Sequence, residues 1–272
     1  MIISVLGCGW LGFPLAQNLL SEGFTVKGST TSEKKLKEIK QAGIEAYLLE
    51  LPKQIDEEES KKFWSADILF LNIPPGRGNE TVEKDYPQLV QKIADKAKKE
   101  GIEWIIFASS TSVYSPLGGI TKEGDAKSGS AARPSGEAVL KAEDILSKSG
   151  LDTTIIRFGG LYGYGRHPVK YLAGKKNLSD AAKPVNLIHQ TDCLNIVLEI
   201  IRQDKKNEIY NAVSDGHPPR KEFYKSAANH FNLPEPEFNS EKKENYRVVS
   251  NDKLRQELGY AFSYPNPMDH TP

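Results

Sequence analysis

The sequence contains only two cysteines, Cys8 and Cys193, among its 272 residues. Two thiols cannot build the disulfide framework of a small secreted protein, so we expect a reducing compartment. With 38% hydrophobic residues, a chain of this length can bury one large core, or one core and a small lobe. These features predict a soluble globular protein in the cytoplasm.

The sequence also lacks an excess of charge and long apolar runs. Its 36 Lys and Arg residues balance its 36 Asp and Glu residues, so no global field attracts nucleic acid or a membrane. No apolar stretch reaches the roughly 20 residues that a membrane-spanning helix needs. The first predicted strand begins at residue 2, and we therefore expect no signal peptide. We predict no nucleic-acid partner and no membrane association.

An apolar run that favours a β-strand opens the chain at residues 2–6 (IISVL), and residues 7–12 (GCGWLG) follow at once. Helical spacing of apolar residues then begins with Leu11, Leu15 and Leu19. A strand, a GxGxxG turn and a helix thus occur in the order of the dinucleotide-binding fingerprint. A merely structural glycine turn is the alternative interpretation.

Each glycine of this turn has a steric role in that fingerprint. Gly7 permits the tight turn, Gly9 lets the backbone approach a pyrophosphate, and Gly12 brings the helix against the strand. The start of the helix offers unpaired N–H donors to the phosphates. Trp10 and Leu11 lie within the turn and complete the predicted pyrophosphate site.

A second strand is predicted at residues 24–27, and the segment 28–32 (GSTTS) follows it. The hydroxyl side chains of this segment occur where the adenosine ribose of a cofactor would lie. An NAD-selective fold usually places Asp or Glu there, whereas this sequence continues with Lys34 and Lys35. The pattern favours NADP over NAD. Ser32 fits a second role equally well, as the cap of the following helix. The predicted adenosine-side residues are Ser29, Thr30 and Thr31.

The fourth predicted strand, residues 67–73, is almost continuously apolar, as expected of a strand buried in a parallel sheet. Residues 74–76 (PPG) end it abruptly. A rigid turn at the carboxyl end of a central strand would line the crevice in which ligands bind in open α/β sheets. We therefore predict Ile73 and Pro74 as cofactor-binding residues.

Hydroxyl-bearing residues follow the fifth predicted strand, residues 104–108, in the segment 109–114 (SSTSVY). Four successive hydroxyls can bind a ligand carbonyl or satisfy local backbone groups, and the segment alone does not decide between these roles. The sixth strand, residues 153–157, leads into 158–166 (FGGLYGYGR). The glycines and tyrosines there predict a loop close to a ligand, with an irregular crossover as the alternative.

A helix is predicted over residues 134–148, with Pro134 in its first turn. Glu137 and Lys141 lie four residues apart, and we expect them to form an outward-facing ion pair on this helix.

The motifs GCGWLG, SSTSVY, RFGGLYGYGR, NLIHQTDC, EIYNAV and NDKLRQELGY occur in this order over most of the chain. Together they resemble the extended short-chain dehydrogenase/reductase superfamily, in its NAD-dependent epimerase/dehydratase group. The resemblance implies an α/β fold, with a Rossmann-type doubly wound parallel sheet and a smaller mixed carboxyl-terminal lobe. Residues 1–158 would form the dinucleotide-binding domain, residues 190–213 would return to it, and residues 159–272 would form the substrate-binding lobe.

The resemblance also implies a nicotinamide dinucleotide, NADP or NAD with NADP preferred, bound between the two units. Ser110, four residues before Tyr114, takes the position of the family's substrate-polarising Ser or Thr and is a predicted catalytic residue. His189 has an alternative role as a structural hydrogen-bonding residue near Asp192. The predicted substrate contacts are Thr111, Arg166 and His189.

The sequence departs from the family in the helix that follows Pro134. The family places Tyr and Lys there one helical turn apart, so that the lysine and the cofactor ribose lower the tyrosine pKa. The matching positions hold Ser135 and Val139, and neither side chain can replace that pair as an acid. Tyr162, in the glycine-rich loop, is therefore the second predicted catalytic residue.

Two functions follow from this departure. The first is an oxidoreductase or epimerase-like enzyme that acts on an unknown small molecule without the usual Tyr–Lys pair. The second is a non-catalytic protein that binds NADP(H) as a sensor or regulator. We predict no metal site. We expect a monomer or a homodimer, because many relatives dimerise through helices at the positions of residues 82–99 and 134–148.

Overall fold

The computed structural model describes residues 1–76, 78–239 and 245–269. Within these ranges a seven-stranded sheet forms the centre of the protein, and every neighbouring pair of its strands is parallel. Four further strands lie outside this sheet. In chain order the strands of the described residues are β1 (Ile2–Leu6), β2 (Thr25–Thr30), β3 (Glu45–Leu48), β4 (Ile68–Leu71), β5 (Trp104–Ser110), β6 (Ile120–Thr121), β7 (Asp152–Phe158), β8 (Gly160–Tyr162), β9 (Leu187–His189), β10 (Ile209–Ala212) and β11 (Val248–Val249).

The strand order in the large sheet is β10-β7-β5-β4-β1-β2-β3. The chain runs outward from β1 through β2 and β3, and then crosses back to β4 on the other side of β1. The carboxyl ends of β1 and β4 therefore border the point where the winding direction reverses, which is where open α/β sheets bind ligands. The predicted doubly wound parallel sheet is confirmed by this order.

The apolar strands are buried as their sequences predict. All four residues of β4 are buried, and the strand pairs with β1 on one side and β5 on the other. Ile68, for example, lies opposite Ile3 and Trp104. A strand that is covered on both faces gains hydrophobic stabilisation from every side chain, which explains its uninterrupted apolar sequence.

Helices cover both faces of the sheet. The helices of the described residues are α1 (Gly12–Ser21), α2 (Glu33–Gln41), α3 (Glu58–Trp64), α4 (Val82–Lys99), α5 (Pro134–Ser147), α6 (Gln190–Arg202), α7 (Arg220–His230) and α8 (Asp252–Leu258). The core on one face includes side chains from α1, α2, α6 and α8, and the core on the other includes side chains from α3, α4 and α5. Among the described residues, no helix is both long and apolar enough to cross a membrane.

The chain after β7 contributes to the large sheet and to smaller units beside it. Strand β10 pairs with β7, so this later segment extends the main sheet. Strands β8 and β9 form a separate parallel pair, and β6 and β11 form another. A small cluster of buried side chains joins β8, β9 and α7 through Tyr162, Leu187 and Phe223.

Two local predictions differ from the structure. Strand β5 continues to Ser110, so the first two hydroxyl residues belong to the strand and do not follow it. The predicted Glu137–Lys141 ion pair is wrong. The Glu137 carboxylate accepts hydrogen bonds from the backbone N–H groups of Gly129 and Ala131, and Lys141 pairs with Glu83 of α4 at 2.9 Å. Tertiary contacts with neighbouring segments prevail over the local pair.

Candidate functional site

The glycine turn after β1 is closed on one side and open on the other. Gly7 has φ +103°, and a Cβ added there would lie 2.6 Å from the backbone oxygen of Asn72. A Cβ at Gly12 would lie 2.2 Å from the backbone oxygen of Gly7. A Cβ at Gly9 would meet no atom within 4 Å. Gly7 and Gly12 thus permit close packing of the turn, while Gly9 faces free space.

Neighbouring strands hold the turn in place. The backbone N–H of Cys8 donates to the Ser29 carbonyl at 2.7 Å, and the Gly7 N–H donates to the Ser29 hydroxyl at 3.0 Å. The Asn72 amide donates to the Gly7 carbonyl at 3.0 Å. These bonds connect the carboxyl ends of β1, β2 and β4, so the turn is held by hydrogen bonds from both neighbouring strands.

Helix α1 starts directly after the turn, and its first turn contains no acidic side chain to balance the positive end of the helix dipole. Leu11 precedes its first residue and makes no side-chain capping hydrogen bond, and the first turn of the helix contains no acidic residue. The partial positive charge of the helix dipole at this end is therefore not neutralised by an acidic side chain of that turn. A helix start of this kind favours a phosphate.

The turn forms part of a cleft of about 1250 Å³ at the carboxyl edge of the sheet. Most of the predicted cofactor-binding residues line this cleft, whereas Gly12 lies behind the turn, against Gly7. The lining residues from that prediction are Gly7, Gly9, Trp10, Leu11, Ser29, Thr30, Thr31, Ile73 and Pro74.

The charged side chains of the cleft all have one sign. Lys35, Arg133 and Arg166 line it, and no Asp or Glu is among its described lining residues. Charges of one sign in a cleft with low-dielectric walls raise the local concentration of ligands of the opposite sign. The cleft therefore suits an anionic ligand of nucleotide size.

At the end of β2, several hydroxyls are already used within the protein. Thr30 accepts a hydrogen bond from the backbone N–H of Ser32 at 3.2 Å, and Ser32 accepts one from the N–H of Lys35 at 3.4 Å. The capping role of Ser32 in α2 is thus present. The Lys35 ammonium pairs with Glu38 at 2.8 Å and lies 4.0 Å from the ring centroid of Phe13, so it stands at this end of the cleft.

The hydroxyl segment of residues 109–112, which begins in the last two residues of β5, lies on the opposite side of the cleft. Ser109, Ser110 and Ser112 line the cleft, whereas Thr111 is buried and is not among the lining residues. The Ser109 hydroxyl donates to the buried carboxylate of Glu143, and the Ser110 hydroxyl accepts from the backbone N–H of Ser112 at 3.1 Å. The segment satisfies local groups and also presents hydroxyls to the cleft.

Helix α5 places Ser135 and Val139 on the wall of the same cleft. Ser135 and Val139 lie one helical turn apart, and both line the cleft. The helix packs tightly beside the hydroxyl segment, since a Cβ at Gly136 would lie 2.4 Å from the backbone oxygen of Ser112. A hydroxyl group and an aliphatic side chain of α5 therefore form part of the cleft wall beside the hydroxyl segment.

Like Thr111, the predicted site residues Tyr162 and His189 are buried away from the cleft. Tyr162 is fully buried, its ring lies 5.1 Å from that of His189, and burial raises the pKa of its phenol. His189 accepts a hydrogen bond from the backbone N–H of Thr191 at 3.2 Å through Nδ1, which caps the start of α6. Its ring packs against Tyr264 with centroids 3.7 Å apart. Neither Tyr162 nor His189 is among the cleft-lining residues.

Some cleft residues were not predicted from the sequence. Gln190, the first residue of α6, lines the cleft and donates from its amide to the Trp10 carbonyl at 2.5 Å. Arg133, directly before α5, and Asn72, directly after β4, also line it. Asn72 did carry a signal, because a polar residue at the carboxyl end of an apolar parallel strand lies at the ligand-binding edge. The position of Gln190 depends on long-range packing.

The fold and the cleft define a Rossmann-type nucleotide-binding protein. Residues 7–193 match the model of the NAD(P)H-binding family. The chain is 33% identical over 270 residues to protein YeeZ of Escherichia coli K12, covering 98% of this chain and 97% of the relative. This chain therefore belongs to the NAD(P)H-binding family.

Solved structures with low sequence identity share the fold. UDP-N-acetylglucosamine 4-epimerase from Bacillus cereus has a TM-score of 0.79 at 17% identity, covering 99% of this chain and 97% of that one. A short-chain dehydrogenase/reductase superfamily protein from Agrobacterium tumefaciens, with bound NAD, has a TM-score of 0.78 at 16% identity, covering 99% and 94%. These structures confirm the predicted fold, and the family match confirms an NAD(P)H-binding protein.

Proposed function

We propose that this protein is an NAD(P)-dependent oxidoreductase or epimerase-like enzyme that works without the Tyr–Lys pair of its superfamily. The observation that carries the proposal is the cleft. Its glycine turn is open at Gly9 and leads into an α-helix, and three cations line it without an acid among its described lining residues. Those features suit the two phosphates of a dinucleotide.

The residues of the cleft fit the parts of such a cofactor. The turn at Gly9 and the N–H groups at the start of α1 would hold the pyrophosphate. The residues at the end of β2 would bind the adenosine ribose, and Ile73 and Pro74 would line the adjoining wall. When it is bound, the nicotinamide ring supplies hydride exchange with a substrate carbon.

We further propose that the cofactor is NADP(H). No acidic residue at the end of β2 lines the cleft, so the structure offers no described carboxylate to accept from a ribose 2′-hydroxyl there. Lys35 lines this end of the cleft instead, and its ammonium favours a 2′-phosphate by charge.

On the opposite wall, Ser110 would polarise the substrate. Its hydroxyl accepts from a backbone N–H, which leaves the hydroxyl proton for donation to a substrate oxygen. Ser135 and Val139 carry no group that can act as an acid near neutral pH. We propose that the substrate reaches this wall from the side of the lobe formed by residues 159–272, with Arg166 on the border.

A second candidate function is binding of NADP(H) without catalysis, in a sensor or regulator. The observation that supports it is that Ser135 and Val139 line the cleft and that neither side chain can act as an acid near neutral pH. Both candidate functions require cofactor binding, but only the first requires turnover.

The experiment that separates them is a turnover screen with NADPH and NADH against sugar nucleotides and small carbonyl compounds. An enzyme of the proposed kind should turn over at least one substrate, and Ser110→Ala should lower kcat by roughly 10²–10³-fold, as loss of an oxyanion donor does. Ser115→Ala is the matched control, because the Ser115 hydroxyl accepts from the Leu117 N–H outside the cleft. Cofactor binding with no turnover across the panel would favour the sensor, and turnover indifferent to Ser110 would contradict its role.

A further inference from the structure

Arg166 lies against the glycine turn although it belongs to a distant part of the chain. Its guanidinium carbon lies 5.0 Å from the ring centroid of Trp10, the fourth residue of the turn. Arg166 is half-buried and lines the cleft. Among the described residues, the contact with the indole ring is the one direct interaction found for its guanidinium, which forms no hydrogen bond or ion pair there. A strong hydrogen-bond donor is therefore held beside the turn by a weak interaction.

The backbone around Arg166 is fastened to the same turn. Residues 163–166 form a tight hairpin in which Gly163 and Arg166 exchange two backbone hydrogen bonds, of 2.9 and 2.7 Å. The indole N–H of Trp10 donates to the Tyr164 carbonyl at 2.9 Å, and the Gln190 amide donates to the Trp10 carbonyl. The hairpin is thus fixed relative to the glycine turn, whereas among the described residues the guanidinium is held by its contact with the indole ring.

A diphosphate at the turn would compete with the indole for this guanidinium. Stacking on an aromatic ring at a partly exposed site is weak, whereas a guanidinium binds phosphate oxygens through two parallel charge-assisted hydrogen bonds. The other two cations of the cleft are placed elsewhere. Lys35 is paired with Glu38 in α2, and Arg133 precedes α5.

We propose that Arg166 is a second anchor for the pyrophosphate of the bound dinucleotide, and that Trp10 holds its guanidinium beside Gly9 until the cofactor arrives. This inference rests on the proposed function and deepens it. It moves Arg166 from the substrate, where the sequence comparison placed it, to the cofactor. The hairpin of residues 163–166 then contributes to cofactor affinity from outside the segment of the glycine fingerprint.

The test is isothermal titration of the full-length protein with NADPH, NADH and ADP-ribose. Arg166→Gln should weaken binding of the dinucleotides and of ADP-ribose alike, by about tenfold to a hundredfold, because ADP-ribose keeps the pyrophosphate and lacks the nicotinamide. Arg166→Lys, which keeps the charge and loses the planar fork, should fall between the parent and Arg166→Gln. Arg255→Gln removes the same charge from an exposed arginine outside the cleft and should leave ADP-ribose affinity within about twofold.

Each outcome supports or overturns the proposal. Unchanged affinity for ADP-ribose in Arg166→Gln, or an equal loss of affinity in Arg255→Gln, overturns the proposed contact of Arg166 with the pyrophosphate, while cofactor binding by the parent still stands. If Arg166→Gln does not fold, Arg166→Lys decides in the same assay, since parental affinity for ADP-ribose in that variant would contradict bidentate binding. If the folded parent binds none of the three ligands, the proposed function itself fails, and the role of Arg166 fails with it.

Discussion

The guanidinium of Arg157 and the carboxylate of Glu143 form a buried, bidentate ion pair beneath the cleft. Nε of Arg157 donates to Oε1 at 3.0 Å and Nη2 donates to Oε2 at 2.6 Å, and the two side chains are only 3% and 4% exposed. The Ser109 hydroxyl, which lines the cleft, donates to the same carboxylate. The Glu143 pair raises the pKa of Arg157 against the opposing effect of burial.

Breaking this pair should destabilise the fold strongly. Glu143→Gln leaves a buried guanidinium without its counter-charge, and the free energy of unfolding should fall by about 3–5 kcal/mol in urea denaturation. The control is Asp144→Asn, which removes the exposed pair with Lys148 on the same helix and should cost less than about 1 kcal/mol. Similar losses of unfolding free energy in the two variants would show that the buried ion pair stabilises the fold no more than the exposed pair does.

The proposed preference for NADP(H) predicts a specific effect of Lys35. Lys35→Gln should weaken NADPH binding about tenfold and leave NADH binding nearly unchanged, because only NADPH carries the 2′-phosphate. Added salt should reduce the difference in affinity between NADPH and NADH, because it screens the charge of the Lys35 ammonium. Lys34→Gln, at the exposed neighbouring position, serves as control. Tighter binding of NADH than of NADPH by the parent would refute the preference.

The residues of α5 predict slow chemistry. Loss of a positioned general acid costs about 10²–10⁴-fold in rate, so any turnover should be slower by that order than in superfamily members that keep the pair. Ser135→Ala should leave kcat within about twofold, because the hydroxyl is too weakly acidic to act as the missing acid. The measurement is kcat of the parent and of Ser135→Ala, from steady-state kinetics on the best substrate of the screen. A large loss of kcat in Ser135→Ala would mean that this hydroxyl does take part.

The two cysteines should be inert in the native protein. Cys8 and Cys193 are free and buried. Burial raises the pKa of the Cys8 thiol to about 12, and burial also raises the pKa of Cys193. Both groups therefore stay protonated at pH 8, and the thiolate is the reactive form. A disulfide reagent at pH 8 should label both thiols in urea and neither in the folded protein. Rapid labelling of the folded protein would contradict the burial of these groups.

The sequence predicts the sheet well because its signals are local. The apolar runs of β1, β4 and β5 indicate buried strands, and Gly7, Gly9 and Gly12 indicate the turn by spacing alone. Strand ends are less certain from such signals. β5 runs on to Ser110 because pairing with β7 continues through Phe158, which no local pattern reveals.

The cleft is only partly predictable, because long-range packing places several of its side chains. The glycine-rich loop is recognisable from composition, yet composition does not reveal that Tyr162 points into the core while Arg166 reaches Trp10. Gln190 meets the glycine turn from 180 residues away in the chain. Periodicity carries no information about such contacts, so sequence patterns indicate the site and the tertiary structure decides its members.

Cofactor binding at the glycine turn is tested most directly by titrating NADPH and NADH into Gly9→Val. The added side chain would occupy the open space at Gly9 and obstruct the pyrophosphate, while the new Cβ would meet no atom within 4 Å beyond Gly9 and its two chain neighbours. Gly124→Val is the matched control, since its Cβ also meets nothing within 4 Å and the residue lies outside the cleft. We predict a folded Gly9→Val protein that has lost dinucleotide binding, and a Gly124→Val protein that has kept it. Unchanged affinity in folded Gly9→Val would contradict the assignment of the cleft as the cofactor site.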